Sequence, residues 1–90
     1  MSVLPFDQRD GFIWMNGKLL PWADAKLHVL SHGLHYASCI FEGERAYGGK
    51  IFKSSEHSER FINSGKLLDF DIPYSVAELD AAKALVVEKN

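Results

Sequence analysis

Cysteine is almost absent from this sequence of 90 residues, in which Cys39 is the single example. A lone thiol excludes a disulfide within these residues and is typical of a protein kept in a reducing compartment. Long apolar runs are also lacking, because Phe12 to Met15 and Ala84 to Val87 are far shorter than the ~20 residues that span a bilayer. The first ten residues have neither the basic start nor the apolar stretch of a signal peptide. We therefore expect a cytoplasmic protein without membrane contact.

Charge of one sign is not in excess either. Ten basic and twelve acidic residues give a formal charge of -2, and the basic residues are scattered between acidic ones. The lack of a basic stripe argues against nucleic acid as a partner. What the sequence does have is 47% hydrophobic and 12% aromatic residues, which is enough apolar surface to drive folding. A chain this short buries only about 60–65% of its surface, so we expect a marginal core and self-association.

The first half of the chain has the pattern of two β-hairpins. Residues 1–11 show no periodicity and are expected to form an N-terminal arm that orders on docking or frays. A β-prone run over 12–15 is followed by Asn16-Gly17, a strong hairpin signal, and by a second strand over 18–22. Gly48-Gly49 predicts a second tight turn between strands over 40–47 and 50–53.

The second half has helical periodicity. A helix is expected over about 55–69, capped by Ser54 or Ser55, and its shared face is formed by Phe61, Ser64, Leu67 and Leu68. Ser75 and Glu78 form a capping box ahead of a second helix that runs to residue 90. Hairpins followed by helices predict one α+β domain over 12–90, with an antiparallel sheet and two C-terminal helices.

Three of the four histidines lie close together in the sequence. If their segment were helical, His28, His32 and His35 would follow i, i+4, i+7 spacing and share a face, as a zinc site requires. Gly33 interrupts such a helix, and no nearby cysteine or aspartate completes a ligand set. Histidines in such segments more often form hydrogen bonds with the backbone, so we expect no metal.

Two further features carry two interpretations each. Gly43 lies in a predicted strand, where glycine leaves no side chain to pack, so it indicates either a bulge or the close approach of a ligand. Arg60 follows His57 by three residues at the start of the first long helix. Its guanidinium could receive a phosphate, or it could form an ordinary surface ion pair with Glu56 or Glu59.

Four segments that occur in order give the sequence a specific resemblance. They are Ile13 to Gly17, Asp24 to Tyr36, Phe41 to Tyr47 and Glu56 to Phe61, and they contain the patterns H-x-x-x-H-x-L-H-Y, F-E-G-x-R and E-H-x-x-R. From about residue 12 to the end, the sequence closely resembles the N-terminal region of branched-chain amino-acid aminotransferases. These are class IV, fold-type IV enzymes that use pyridoxal 5'-phosphate.

The resemblance implies roles for four residues. Arg60 would hold the cofactor phosphate, and Phe41 would line the pocket for the aliphatic substrate side chain. Tyr36 would lie at the dimer interface and reach the substrate pocket of the partner, and Gly43 would keep the wall beside the substrate clear. The three clustered histidines would be structural. No catalytic residue is expected here, since the family's Schiff-base lysine lies in a later segment, beyond Asn90, within a C-terminal catalytic domain.

The activity implied for the full-length protein is transfer of the amino group of leucine, isoleucine or valine to 2-oxoglutarate. D-amino-acid transaminases and aminodeoxychorismate lyases share the fold and the arginine, and F-E-G-x-R favours the branched-chain enzymes over them. A non-catalytic dimerisation or binding module with this fold is the alternative of a different class. A homodimer or larger homo-oligomer is expected. These 90 residues alone are expected to be inactive, with Lys83 and most other lysines solvated.

Overall fold

The chain forms two short hairpins followed by two long helices. The computed structural model describes residues 4–90. The elements, in chain order, are β1 (Phe12–Met15), β2 (Lys18–Pro21), α1 (His32–Tyr36), β3 (Ala46–Tyr47), β4 (Lys50–Ile51), α2 (Ser54–Leu67) and α3 (Val76–Lys89). The predicted α+β class is confirmed, although the hairpins form two separate two-stranded sheets and not one.

The first hairpin matches the prediction closely. β1 pairs with β2 in antiparallel register, so that Ile13 faces Leu20 and Met15 faces Lys18. Asn16 and Gly17 have φ values of 53° and 90°, which are the positive values that a type I′ turn demands at both central positions. The turn therefore fixes the register of the pair, as the sequence indicates.

The second hairpin is shorter than predicted. Gly48 and Gly49 adopt φ values of 56° and 81° and form the expected turn. The ladder, however, contains only the pairs of β3 with β4, and the Phe52 N–H donates one further bond to the Arg45 carbonyl at 2.8 Å. Lys53 then turns into the left-handed region, which ends the strand and starts α2. Residues 40–44 consequently have no strand partner among residues 4–90 and lie outside regular structure.

The predicted serine cap of α2 is wrong. The cap position is Lys53, without a side-chain cap bond, and Ser54 is already helical. The hydroxyls of Ser54 and Ser55 donate instead to the carboxylate of Asp80 on α3, at 2.8 and 2.6 Å. Because both serines already have helical backbone, neither lies at the cap position, and their hydroxyls join α2 to α3 instead.

The capping box of α3 is confirmed. The Ser75 hydroxyl accepts from the Glu78 N–H at 3.1 Å, and the Glu78 carboxylate accepts from the Ser75 N–H at 3.0 Å. Both bonds satisfy donors that a helix start leaves without partners. The box directs α3 away from the 69–74 turn and across α2 and β1.

Packing is open. Among residues 4–90 no hydrophobic side chain is fully buried, and Ser58, 2% exposed, is the most buried side chain. The predicted shared face of α2 is covered only in its first part, where Phe61 and Ser64 are half-buried, whereas Leu67 is 86% exposed. The turn after the helix instead folds Phe70 and Ile72 back over Gly65. A Cβ at Gly65 would lie 3.2 Å from both side chains, which would then have to shift by a few tenths of an ångström.

The predicted arm has local structure in its described part. Residues 1–3 lie outside the described residues, and Phe6–Gln8 form a 3-10 turn. The Trp22 indole N–H donates to the Phe6 carbonyl, and the Arg9 guanidinium lies 4.1 Å from the centre of the Phe6 ring. The boundary of the arm at residue 11 stays a prediction.

No helix within 4–90 combines the length and the apolar character needed to cross a bilayer.

Candidate functional site

A half-buried carboxylate joins an imidazole and a guanidinium of α2. Residues three apart on a helix are neighbours, which places His57 and Arg60 side by side in its first two turns. Glu42, from the irregular segment before β3, receives both of them. Its carboxylate accepts from Arg60 Nε at 2.9 Å (Oε2), from Arg60 Nη2 at 2.7 Å (Oε1) and from His57 Nδ1 at 2.5 Å (Oε1). We call Glu42, His57 and Arg60 the carboxylate cluster.

The members of the carboxylate cluster differ in exposure. The Glu42 side chain is 9% exposed and that of His57 19%, whereas that of Arg60 is 67% exposed. Hydrogen bonds from Arg60, and then from His57, lower the pKa of Glu42 from 4.5 to about 2. The same contact with Glu42 raises the pKa of Arg60. Glu42 is thus ionised at neutral pH, and because an ionised carboxylate only accepts, the His57 proton that faces it is on Nδ1.

The ion-pair alternative for Arg60 named the wrong partners. Glu56 and Glu59 are exposed and neither bonds to the guanidinium among the described residues. The actual partner is 18 residues away, so helical spacing could not identify it. One edge of the guanidinium, formed by Nε and Nη2, is occupied by Glu42. Nη1 makes no hydrogen bond within residues 4–90, and because the Arg60 side chain is 67% exposed, it can bind an oxyanion.

The predicted substrate residues Phe41 and Gly43 flank Glu42 in the sequence. Phe41 is 87% exposed, which makes it the most exposed of the large apolar side chains in the described part of the chain. A Cβ added to Gly43 would meet no atom within 4 Å. The chain's own packing therefore does not require glycine at this position, and the space beside it is open.

Tyr36 lies apart from the carboxylate cluster, at the end of α1. Its side chain is 73% exposed, and its ring lies 4.6 Å from that of His32, centre to centre. Its ring contacts, with His32 and His35, involve none of the cluster residues. Phe41 and Gly43 therefore lie on either side of Glu42, the partner of Arg60, whereas Tyr36 lies on a different element, α1.

The histidine segment does not form the continuous helix on which a zinc site depends. α1 begins at His32, and His28 lies in a preceding turn where its Nδ1 accepts from the Leu30 N–H at 3.0 Å. His35 Nε2 lies 2.7 Å from the Val29 carbonyl. Two of the three histidines thus bond to the backbone. In the described part of the chain no three His, Cys, Asp or Glu side chains are grouped so that they could hold a metal ion.

A second polar cluster was not predicted from the sequence. Asp80 accepts from the hydroxyls of Ser54, Ser55 and Ser58, the last at 2.6 Å, and Lys83 Nζ lies 3.5 Å from its carboxylate. Hydrogen bonds from Ser55 and Ser58 lower the pKa of Asp80 from 3.8 to about 2. We call this group the serine cluster. The i, i+4 spacing of Ser54 and Ser58 is the signal that could have indicated it.

Lys83 connects the serine cluster to the segment that carries Glu42. Its Nζ donates to Glu44 and to the Ser54 carbonyl, both at 2.8 Å, and its side chain is only 21% exposed. The prediction that Lys83 is solvated is therefore wrong. Helical periodicity placed it among polar positions, but α3 packs that face against α2. Glu42 and Glu44 are both anchored to helices, by different cations.

An apolar groove lies beside these two clusters. It has a volume of about 700 Å3, and its walls come from β1, α2 and α3. Trp14, Phe61 and Val86 contribute apolar surface, while Glu42 and His57 stand at its polar edge. The groove and the exposed edge of Arg60 thus flank the same carboxylate.

Comparisons with known proteins agree with the resemblance. No model of a known protein family matches the chain. A probable branched-chain-amino-acid aminotransferase of Rickettsia felis is 47% identical over 90 residues, which cover all of this chain and 31% of that protein. The branched-chain aminotransferase of Thermoproteus uzoniensis, solved with norvaline, superposes with a TM-score of 0.85 at 35% identity, over 91% of this chain and 29% of the other.

A second solved structure extends the match. A branched-chain amino acid aminotransferase of T.th., complexed with N-(5'-phosphopyridoxyl)-L-glutamate, superposes with a TM-score of 0.83 at 46% identity and covers 89% of this chain and 29% of the other. The chain therefore spans about a third of the length of the relatives it matches. The similarity lies in the N-terminal part of these enzymes.

Proposed function

We propose, from the premise that the chain belongs to the branched-chain aminotransferase family as its N-terminal part, that it forms one wall of a pyridoxal 5'-phosphate site. The full-length protein would transfer the amino group of leucine, isoleucine or valine to 2-oxoglutarate. The names of the relatives support this activity, and so do the norvaline and phosphopyridoxyl-glutamate complexes of the two structural neighbours.

The observation that carries the proposal is the free edge of Arg60. A phosphate needs donors that converge from a planar, permanently charged group, and a guanidinium with one open edge provides them. Arg60 is 67% exposed while its other edge is fixed by Glu42, so the group is both accessible and oriented. The residues present therefore fit the phosphate end of the cofactor.

The other residues would serve the substrate. Pyridoxal phosphate, when bound, supplies the electron sink that makes amino-group transfer possible. Phe41 would present its exposed ring to the aliphatic substrate side chain and exclude water from it. Gly43 would leave room for the substrate beside that ring, and Tyr36 would complete the pocket of a partner subunit. None of these residues would move a proton, which remains the task of the family's lysine outside this chain.

A homodimer, in a cytoplasmic setting, is part of the proposal. The segment around α1 exposes several large apolar side chains, namely Leu27, Val29, Leu30, Leu34 and Tyr36, each more than 60% exposed. Large apolar side chains exposed this close together in the sequence support an interface with another protein. Cys39, exposed as a free thiol, suits a reducing compartment.

The test is the cofactor affinity of an Arg60→Ala variant of the full-length protein. Because the variant loses a charge-assisted contact with phosphate, we expect affinity to fall roughly ten- to a hundredfold. Arg9→Ala is the matched control, since it removes the same charge from a half-buried position that contacts Phe6 and lies outside the carboxylate cluster. Unchanged affinity in Arg60→Ala would restrict Arg60 to its ion pair with Glu42 and remove the support for the site.

A further inference from the structure

We propose that Glu42 is a positioning residue for Arg60: it holds the Nε and Nη2 edge of the guanidinium so that the N–H groups of Nη1 are presented to the cofactor phosphate. The inference rests on the proposed function and goes beyond it, because it assigns a task to an acidic residue beside an anion site. The observation to explain is that a carboxylate contacts the one arginine that would bind phosphate.

The geometry of the pair fixes the guanidinium plane. Nε and Nη2 of Arg60 bond to the two oxygens of Glu42 at 2.9 and 2.7 Å, and Nε is also 3.1 Å from the second oxygen, so the carboxylate lies against one edge of the guanidinium. Since the guanidinium is rigid and planar, two bonds on one edge determine where the N–H groups of Nη1 point. An exposed arginine without such a partner would sample many rotamers and lose more conformational entropy on binding.

Glu42 is itself held in place. His57 Nδ1 donates to its Oε1 at 2.5 Å, and the Glu42 side chain is 9% exposed, against 67% for that of Arg60. The carboxylate is thus the anchored partner and the guanidinium the accessible one. A carboxylate that merely occupied the phosphate position until the cofactor arrived would instead lie on the exposed side, within reach of Nη1.

The two possibilities predict opposite changes in the affinity for pyridoxal phosphate when Glu42 is removed. A positioning carboxylate repels the phosphate slightly but orients its donor, so its removal lowers affinity. A carboxylate that competes with phosphate raises affinity when it is removed. The sign of the change in a Glu42 variant therefore distinguishes them without any assumption about magnitude.

The experiment measures dissociation constants of the full-length protein for pyridoxal phosphate and for pyridoxal, which lacks the phosphate. Glu42→Ala should weaken pyridoxal phosphate binding by about tenfold, a usual effect of removing a group that orients a ligand's partner, and should leave pyridoxal binding unchanged. Glu44→Ala is the matched control, because it removes the same charge two residues away and contacts Lys83 instead of Arg60. Thermal melting of each variant establishes that it is folded.

The outcomes separate cleanly. If Glu42→Ala lowers the affinity for pyridoxal phosphate and for pyridoxal equally, the role of Glu42 is merely structural and the inference is wrong. Unchanged or tighter binding of pyridoxal phosphate would also contradict the inference. In an Arg60→Ala background, Glu42→Ala should have no further effect on the preference for the phosphorylated ligand; an additional loss there would also contradict the inference. If Arg60→Ala alone leaves the affinity for pyridoxal phosphate unchanged, Arg60 does not bind the phosphate. That result contradicts the proposed function itself and is distinct from a failure of the Glu42 inference. Glu42→Gln, which preserves side-chain volume, replaces Glu42→Ala should the latter not fold, with a smaller loss of the same sign expected.

Discussion

The serine cluster makes a quantitative prediction about stability. Replacing Asp80 with asparagine preserves the side-chain shape but removes the charge and converts one acceptor oxygen into a donor. Asp80 accepts three hydroxyl bonds, of which the Ser58 bond comes from a side chain 2% exposed. Loss of the partner of so buried a hydroxyl lowers the stability of the folded protein. The Asp80 side chain, however, is 27% exposed, so water partly screens the charge interactions of its carboxylate.

The magnitude follows from the pKa of Asp80, lowered from 3.8 to about 2 by the serine hydroxyls. At about 1.4 kcal/mol per pKa unit, and discounted for solvent screening, Asp80 contributes about 1–2 kcal/mol to the free energy of unfolding at pH 7. Because the folded-state pKa is the lower one, this contribution is complete above pH 4 and is lost as the pH falls from about 4 to about 2. Glu42, whose pKa falls from 4.5 to about 2, titrates in the same range in both proteins.

The assay is urea unfolding of the wild-type protein, Asp80→Asn and the control Glu88→Gln, at pH 7 and at pH 2. Glu88→Gln makes the same charge change on an exposed position of the same helix. We expect Asp80→Asn to be less stable by about 1–2 kcal/mol at pH 7 and the difference to shrink at pH 2. A difference that is equally large at both pH values, or that Glu88→Gln reproduces, would refute the assignment of this stability to the ionised cluster.

Three other predictions concern separate parts of the chain. Ser75→Ala, which removes the capping box of α3, should lower the free energy of unfolding by about 1 kcal/mol in the same assay, and no loss would contradict the box. Gly65→Ala should also destabilise the protein, because its Cβ would lie 3.2 Å from Ile72; a stabilised variant would mean that this turn relaxes freely. The 90-residue chain should not transaminate leucine with 2-oxoglutarate. Borohydride reduction after incubation with pyridoxal phosphate should label several of its lysines weakly. Stoichiometric labelling of one lysine, together with turnover, would contradict the proposal that these residues bind the cofactor and substrate but do not catalyse the reaction.

Local features of the fold could be predicted because neighbouring residues determine them. Asn16-Gly17 and Gly48-Gly49 adopt positive φ with little strain, so both turns were predicted correctly. The capping box at Ser75 is likewise contained within four residues. Strand lengths were less accurate, since the extent of the second hairpin depends on where Lys53 turns and α2 starts.

Long-range polar contacts could not be predicted from spacing. The bond between Arg60 and Glu42 spans 18 residues, and that between Ser54 and Asp80 spans 26. In both cases a side chain leaves its nearest sequence neighbours for a carboxylate that the fold brings closer. The resemblance named Arg60, Phe41, Gly43 and Tyr36, but it gave no reason to connect Glu42 with Arg60, and only the folded structure supplies that link.

The way α2 meets α3 also bears on how the protein responds to temperature. Contacts between apolar surfaces change the heat capacity of unfolding strongly and weaken on cooling, whereas exposure of polar groups changes it in the opposite sense. The centre of this joint is a buried serine hydroxyl bonded to a carboxylate, not an apolar side chain. We therefore expect the contact between the two helices to persist in the cold, and this chain to be more sensitive to acid than to chilling.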